Sequence, residues 1–327
     1  MAIPRQQLLL AQREAAYGTD PGGLVGGDAM LVVDDLSLET SHESAEILPV
    51  DSFLDGLGHV PGSISAKCSF SVPLRGSGTA GTQPEIDPLL AACGFRRVDV
   101  VGPPASNTYR LGSVFNATPA TGYVSNTLTL QDGVHQHQIQ GAYGTFGITA
   151  DPNTYAKIAF QMTGLYERPT DVATFTSPTF DATRPQPCRG LTLTLHGTVG
   201  GPLLRLASFS FDLNREVHTV PSMASSFGIA ALELGRCAPT ATAVVQEQTL
   251  AGKDWFAALE AGTLSTLSLV IGSVAGNICT ITDPGVNGGI QVRTLSRTTG
   301  PGGVVSLELG FSFRRSSGND SLSIAFT

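Results

Sequence analysis

His135 and His137 are the first residues whose types and spacing could do chemistry, because they stand two positions apart in a predicted strand. Side chains two apart on a strand point to the same face, so the pair could provide two ligands to a zinc ion. A zinc site needs a further ligand, and the nearby acid, Asp132, falls in a predicted turn. We interpret the pair as part of an exposed polar strand face, and we predict no metal and no cofactor.

Two acidic pairs could serve general acid–base catalysis. Asp34 and Asp35 are adjacent, so on a strand their carboxylates point to opposite faces and cannot easily act together. Glu85 and Asp87 stand at the start of a predicted helix, where the helix dipole favours negative charge. Both pairs are therefore interpreted as structural.

The stretch RGSGTAGT, residues 75–82, resembles a phosphate-binding loop only in composition. It follows a predicted strand, but it lacks the Lys-Ser/Thr ending and the GxGxxG spacing of such loops. We interpret it as a flexible interaction loop. The sequence also has no G-x-S-x-G and no H-E-x-x-H motif, so we predict that the protein is not an enzyme.

Composition excludes other classes of protein. The 327 residues carry a net charge of −8, which argues against a nucleic-acid-binding surface, since such a surface needs clustered Lys and Arg. Only 14% of residues are charged and 38 are Gly, which favours an all-β protein whose surface is partly covered by other subunits. The five cysteines have no CxxC spacing, which indicates buried thiols made in a reducing compartment. We expect neither a signal peptide nor a membrane-spanning segment.

The chain divides into an N-terminal arm (1–28), a first domain (29–170) and a second domain (171–327). The arm begins with helical character. Residues 63–72 alternate without error between apolar and polar, which predicts a strand with one wet face. Residues 84–94 predict a short helix that buries Leu89, Leu90 and Cys93, and two hairpins follow, turning near residues 132–133 and 151–153.

The second half repeats this order of elements. A strand ends near residue 213, a long strand leads from 229 to a Gly near 252, a short helix begins at Trp255 and Phe256, and two hairpins close the chain. We predict that Trp255 and Phe256 are core residues. We infer a tandem duplication of an all-β unit with one short helix per repeat.

Residues 58–95, GHVPGSISAKCSFSVPLRGSGTAGTQPEIDPLLAACGF, resemble the major tail tube protein of long-tailed bacteriophages (siphophages). The stretches QIQGAYGTFGITADPNTYAKIAFQMTGLYERP and LLLAQREAAYGTDP are similar to the same family. The resemblance implies two tandem β-sandwich domains whose strands join between subunits into a barrel, and rings that stack into a tube conducting DNA into the host. A duplicated chain would form a pseudo-hexameric ring from three copies.

The resemblance also implies partners, location and residue roles. The partners are further copies of the chain and the tape-measure, terminator and tail-tip proteins; DNA passes without specific binding, and the protein is made in the host cytoplasm and ends in the virion tail. The candidate residues fall into three groups: lumen-facing Ser37, Glu39, Ser208, Ser210 and Asp212; inter-ring arm residues Leu9, Glu14 and Tyr17; and inter-subunit loop residues Arg75, Ser77, Thr79 and Thr82.

Strand geometry favours three chains per ring. If each half contributes four strands, six halves give ~24 strands, a diameter of ~48 Å and, less side chains, a lumen of ~38 Å, wider than a DNA duplex of roughly 20 Å. Three halves would leave only ~14 Å. A wall of Ser, Thr, Gln and some acid would repel phosphate and let DNA slide.

Two other interpretations stay open. The first is a tail-tip or baseplate component on the same fold, which caps a tube and does not polymerise. The second is a carbohydrate- or receptor-binding β-sandwich, against which the single Trp and the scarcity of Tyr argue.

Overall fold

A computed structural model describes most of the chain. The described residues are 7–34, 36–47, 50, 58–102, 104–112, 123–189, 191–195, 206–247, 249–250, 254–283, 289–299, 303–315, 318 and 320–327. Strands dominate them, with two short α-helices, and the all-β prediction is confirmed.

The strands and helices follow each other in a similar order in the two halves of the chain. The first half contains β1 (Gln7–Arg13), β2 (Ala29–Met30), β3 (Ser37–Glu46), β4 (His59–Pro73), α1 (Asp87–Ala92), β5 (Phe95–Val100), β6 (Ser106–Leu111), β7 (Asn126–Asp132), β8 (His135–Ala150), β9 (Lys157–Tyr166) and β10 (Thr170–Asp171). The second contains β11 (Thr192–Leu195), β12 (Leu206–Asp212), β13 (Arg215–Pro221), β14 (Ile229–Cys237), β15 (Thr240–Gln246), α2 (Trp255–Glu260), β16 (Leu264–Ser265), β17 (Leu267–Ile271), β18 (Cys279–Thr282), β19 (Ile290–Thr299), β20 (Val305–Phe313) and β21 (Ser323–Phe326).

Eight antiparallel strands form a continuous succession through the main sheet. Their order is β3-β4-β9-β8 from the first half, followed by β12-β15-β20-β19 from the second. The two sets of four are joined where β12 pairs with the C-terminal part of β8. We call this pairing the internal junction.

The two sets also share register. Ser37 pairs with Ser69 in the first set, and Ser210 pairs with Thr242 in the second. Where β4 and β15 end, equivalent backbone bonds follow: Leu74 N–H donates to the Ala156 carbonyl, and Glu247 N–H donates to the Val305 carbonyl. Order and register thus support the tandem duplication, although the division into two domains stays a prediction.

A second layer covers one face of the main sheet. It contains the six-stranded sheet β11-β17-β18-β21-β6-β5, and its apolar residues share one core with those of the main sheet. The ring centroids of Phe95 on β5 and Phe146 on β8 lie 5.6 Å apart, and those of Phe146 and Phe211 on β12 lie 6.0 Å apart. Phe146 therefore links both layers and both halves of the chain.

Each half carries one short helix against this core. In α1, Leu89 and Leu90 are fully buried, as is Cys93 directly after it, so the predicted apolar stripe is confirmed. In α2, the Asp254 side chain accepts a 2.9 Å bond from the Ala257 N–H and caps the first turn. Trp255 is buried as predicted, but Phe256 is 43% exposed, so its assignment to the core was wrong.

The N-terminal segment does not begin as a helix. Residues 7–13 are strand β1, which pairs along its whole length with β7 and, at its centre, with β2. Leu9, Leu10 and Ala11 are consecutive and all buried, which is the pattern of a strand covered on both faces. Partner strands distant in sequence outweigh the weak helix propensity of this stretch.

The long strand predicted from residue 229 is divided. β14 ends at Cys237 and pairs only with β13, whereas β15 begins at Thr240 and joins the main sheet. Pro239 lies at the break, and it has no N–H to donate to a ladder. The remaining strand predictions, residues 63–72 and the hairpins of both halves, are confirmed.

Candidate functional site

The eight-strand succession presents one polar face, on the side opposite the core. Strand alternation places mostly polar side chains on this face, with Ala159 and Val244 among them, and apolar side chains on the other. Register pairs these polar residues across successive strands, so they form one continuous surface, which we call the polar wall. Its members include Ser37, Glu39, Ser65, Lys67, Ser69, Gln161, Thr163, Thr145, Thr149, Ser210, Asp212, Thr240, Thr242, Glu308, Ser312, Thr294, Ser296 and Thr298.

The predicted lumen residues all lie on the strands of the polar wall. Ser37 and Glu39 on β3 are exposed, and their register equivalents on β12 are Ser210 and Asp212, also exposed. Ser208 is half-buried and follows an irregularity in the β12–β15 pairing. The structure therefore brings the five candidates onto one surface, while their role in a lumen stays a prediction.

Most of the polar wall was missed in the sequence. The five lumen candidates were chosen on β3 and β12 and the strand at residues 63–74 was also expected in the wall, whereas β8, β9, β15, β19 and β20 contribute to it as well. Two shallow grooves, of about 780 Å³ and 280 Å³, lie along it and share Thr145 and Gln161 as lining residues. Alternation in 157–163, broken only by Ala159, and in 306–312 was the available signal, because it resembles that of residues 63–72.

Charge on the polar wall is sparse and of both signs. Glu39 faces Lys67 across β3 and β4, and the Nζ of Lys157 lies 3.1 Å from a carboxylate oxygen of Asp34. Asp212 has no cation opposite it, since its partners are Gly147 and Thr240, and burial raises the pKa of its carboxyl above the usual value. Lys67 and Lys157 thus each lie beside an acid, and the larger groove is also lined by Arg215 and His218 of β13.

The predicted inter-ring residues are engaged within their own chain. Leu9 and Glu14 are buried, and the Glu14 carboxylate accepts bonds from the N–H groups of Gly18 (2.7 Å) and Gly141 (2.6 Å). It also accepts bonds from the hydroxyls of Ser125 and Thr127. Two of the three candidates thus have almost no surface to offer a second ring in this conformation.

Tyr17, the third arm candidate, lies against the second half of the chain. Its hydroxyl oxygen accepts a 2.6 Å bond from the Leu232 N–H on β14, and its ring stacks on Tyr143 with centroids 5.8 Å apart. Burial raises the pKa of Tyr17 to about 12, so it is protonated at neutral pH. It keeps 37% exposure, so an inter-ring contact through Tyr17 stays a prediction.

The loop after β4 contacts its own chain at several points. The buried guanidinium of Arg75 pairs with Glu85 and donates to the carbonyls of Asp181 (2.9 Å) and Thr183 (2.7 Å). Arg75 therefore fixes the Pro- and Thr-rich connector to the first half, and it is not available to a neighbouring subunit. The backbone N–H of Gly78 also donates to Gly276. The exposed loop candidates are Thr79 and Thr82, with Ser77 half-buried.

The residues that first suggested chemistry have structural surroundings. His135 Nδ1 lies 2.8 Å from Asp171 Oδ1 on β10. Asp87 is buried beside Arg13, Arg97 and the Tyr109 hydroxyl. Among the described residues no three His, Cys, Asp or Glu side chains cluster as a metal site would require. Asp35 lies outside the described residues.

The eight-strand succession ends on two strands, β3 and β19, whose outer edges lack a complete partner in the described part of the chain. β3 pairs with β4 only. β19 pairs with β20 along one side, and β16 covers only Ile290 and Gln291 on the other. Residues 294–299 of β19 and the outer side of β3 are thus two unpaired edges, which sequence reasoning did not locate.

Comparisons with known proteins agree with this architecture. Residues 4–314 match the family model described as "Phage tail tube protein". A search of curated proteins finds no match. No described helix is long and apolar enough to cross a membrane. Since the family model covers almost the whole chain, the chain belongs to the phage tail tube protein family, as a structural component of the virion tail.

Proposed function

We propose that three copies of this chain close into a ring of six similar halves, that rings stack into a tube, and that the polar wall lines the lumen through which DNA passes. The observation that carries the proposal is the eight-strand sheet with one continuous polar face. The lumen estimate of ~38 Å assumed four strands from each half, and the succession has four strands from each half.

The two unpaired edges support closure of a ring. An exposed strand edge is a template for pairing with another chain, and proteins avoid leaving one open without reason. Here the edges lie at opposite ends of the succession, so edge-to-edge pairing is head-to-tail and closes when the rotation per chain permits. Three chains of eight strands give the ~24 strands of the estimate.

The character of the polar wall supports passage of DNA. A basic lumen would exchange counterions with phosphates and hold the duplex. Ser, Thr and Gln with a few acids do not, so DNA can slide. The proposal assigns the protein a structural role and no catalytic one.

Electron microscopy of the purified protein in negative stain tests the proposal. The expected result is rings and tubes, and light scattering of isolated rings should give the mass of three 33.9 kDa chains. Monomers at all concentrations, or rings of another copy number, would contradict it. Rings that never stack, even at high concentration, would favour a capping role at the tail tip.

A further inference from the structure

The junction between two copies, which rests on the proposed ring, follows from the internal junction. Within one chain, β12 pairs with the C-terminal part of β8. By order and register, β3 is the equivalent of β12, and β19 is the equivalent of β8. These equivalents, β3 and β19, are the two end strands of the eight-strand succession, and each has an edge without a complete partner among the described residues.

The correspondence can be fixed residue by residue. Thr149 pairs with Lys157 across the β8–β9 hairpin, and Thr298 pairs with Ser306 across the β19–β20 hairpin, with seven residues between the paired positions in each case. Thr298 is therefore the equivalent of Thr149. Ser210 is the equivalent of Ser37, and the internal junction pairs Ser210 with Thr149.

We propose that β3 of one copy pairs antiparallel with β19 of the next, in the register that places Ser37 opposite Thr298 and Glu39 opposite Ser296. This register continues the polar wall across the subunit boundary, because every residue of the pairs is polar and on the wall face. Around the proposed ring, first and second halves alternate, and this register gives each half equivalent wall residues at its boundaries.

Two hydrogen bonds beside the internal junction use acceptors on β8, and β19 has equivalent acceptors. After β12, the Leu213 N–H donates a 3.0 Å bond to the Phe146 carbonyl, and the Arg215 N–H donates a 3.1 Å bond to Thr145 Oγ1. The equivalent acceptors on β19 are the Leu295 carbonyl and Thr294 Oγ1. A threonine therefore stands at both positions, and Thr294 is exposed in the single chain.

The junctions differ on the core-side face. Ile148 faces Phe211 in the internal junction, whereas Arg297 and Leu38 hold these places between copies. Arg297 forms a salt bridge within its own chain, in which its Nη2 lies 2.9 Å from the Glu247 Oε2. The polar-wall pair Ser37 and Thr298 is thus the better place to test the register.

Cysteine cross-linking of assembled protein tests the register. Residues directly opposite in an antiparallel pair have Cα atoms about 4.5–5.5 Å apart, within the range of a disulfide. The test variant is Ser37→Cys with Thr298→Cys. The out-of-register control is Ser37→Cys with Thr294→Cys, whose second site lies about 13 Å along the strand. The internal control is Thr149→Cys with Ser210→Cys, the equivalent pair within one chain.

Light scattering verifies that each variant forms rings before it is oxidised. Each variant is also treated with a short bismaleimide, which detects two nearby cysteines whose geometry does not allow a disulfide. We expect about tenfold more covalent dimer and trimer from the test variant than from the out-of-register control. The internal control should give a cross-link within the monomer, and variants that carry only one of the two substitutions, beside the five native cysteines, should give none.

The outcomes separate the register from the ring. Two results obtained with intact rings would overturn the register and leave the ring standing. In the first, the control with Thr294→Cys cross-links as well as the test variant does. In the second, the test variant gives only monomer. A test variant and native protein that both stay monomeric would overturn the ring and the junction together.

Discussion

Reversing charge on the polar wall is the most direct perturbation of the proposed lumen. Glu39→Lys with Asp212→Lys replaces two exposed acids that occupy equivalent places in the two halves. Each substitution changes the charge by two units, so a ring of three chains gains twelve positive units and presents six new lysines. If those lysines meet phosphates, the slope of log K against log salt is about −5, a loss of about 10³ in affinity between 50 and 200 mM salt.

The assay compares two forms of DNA on assembled tubes. A short linear duplex can enter a lumen, whereas a covalently closed circle cannot thread one. Co-sedimentation should show native tubes retaining neither form, and variant tubes retaining the linear duplex at 50 mM salt and releasing it at 200 mM. Glu260→Lys is the matched control, because Glu260 is an exposed acid on α2, away from the polar wall.

Two results would refute the reasoning. If variant tubes retain the circle as well as the linear duplex, the new lysines lie on the outside. If variant tubes retain neither form while their assembly is intact by electron microscopy, Glu39 and Asp212 do not face the DNA path. Glu39→Gln with Asp212→Asn should assemble like the native protein and retain no DNA, since it adds no cation.

Three further predictions concern the single chain. Glu14→Gln should lower the free energy of unfolding in urea by about 1–3 kcal/mol, because an amide cannot accept all four bonds of the carboxylate; an unchanged midpoint would contradict the buried cluster. Arg75→Ala should cost about 3–5 kcal/mol by leaving Glu85 buried and unpaired, and adding Glu85→Ala should restore part of it; a double variant no better than the single would count against the pair. At pH 8 at most one thiol per chain, the half-buried Cys237, should react rapidly with a maleimide. The other four thiols are buried, and burial raises the pKa of thiols such as Cys68 to about 12. All five should react in denaturant, and rapid labelling of several thiols in the native protein would show that the core is open.

Local pattern predicted the elements whose residues carry their own signal. The alternation of residues 63–72 specified which side chains face the core, since a strand has a period of two. Leu89 and Leu90 next to a Pro and an acid predicted α1 for the same kind of reason. In these stretches propensity, pattern and burial agree.

Contacts distant in sequence decided the rest. The local sequence around Leu9 and Leu10 predicts a marginal helix. These residues form a strand because β7, far along the chain, and β2 provide partners on both sides. The register that equates Ser37 with Ser210 depends on the pairing of β3 with β4 and of β12 with β15, neither of which is encoded locally. The candidates on the polar wall could therefore be chosen by residue type, but their equivalence could not.

Joining two halves in one chain changes how the proposed ring holds together. A ring of six separate halves would need six junctions between molecules, whereas three duplicated chains make three of them intramolecular, at an effective concentration set by the connector. Because the internal junction no longer has to form by collision, its residues can differ from those of the junction between copies. Ile148 and Phe211 fill the first, while Arg297 and Leu38 would take the same places in the second in the proposed register. In the proposed register the junction between copies would thus be the more polar of the two, which would keep the exposed edge soluble before assembly and make the boundary between chains the place where the ring can open.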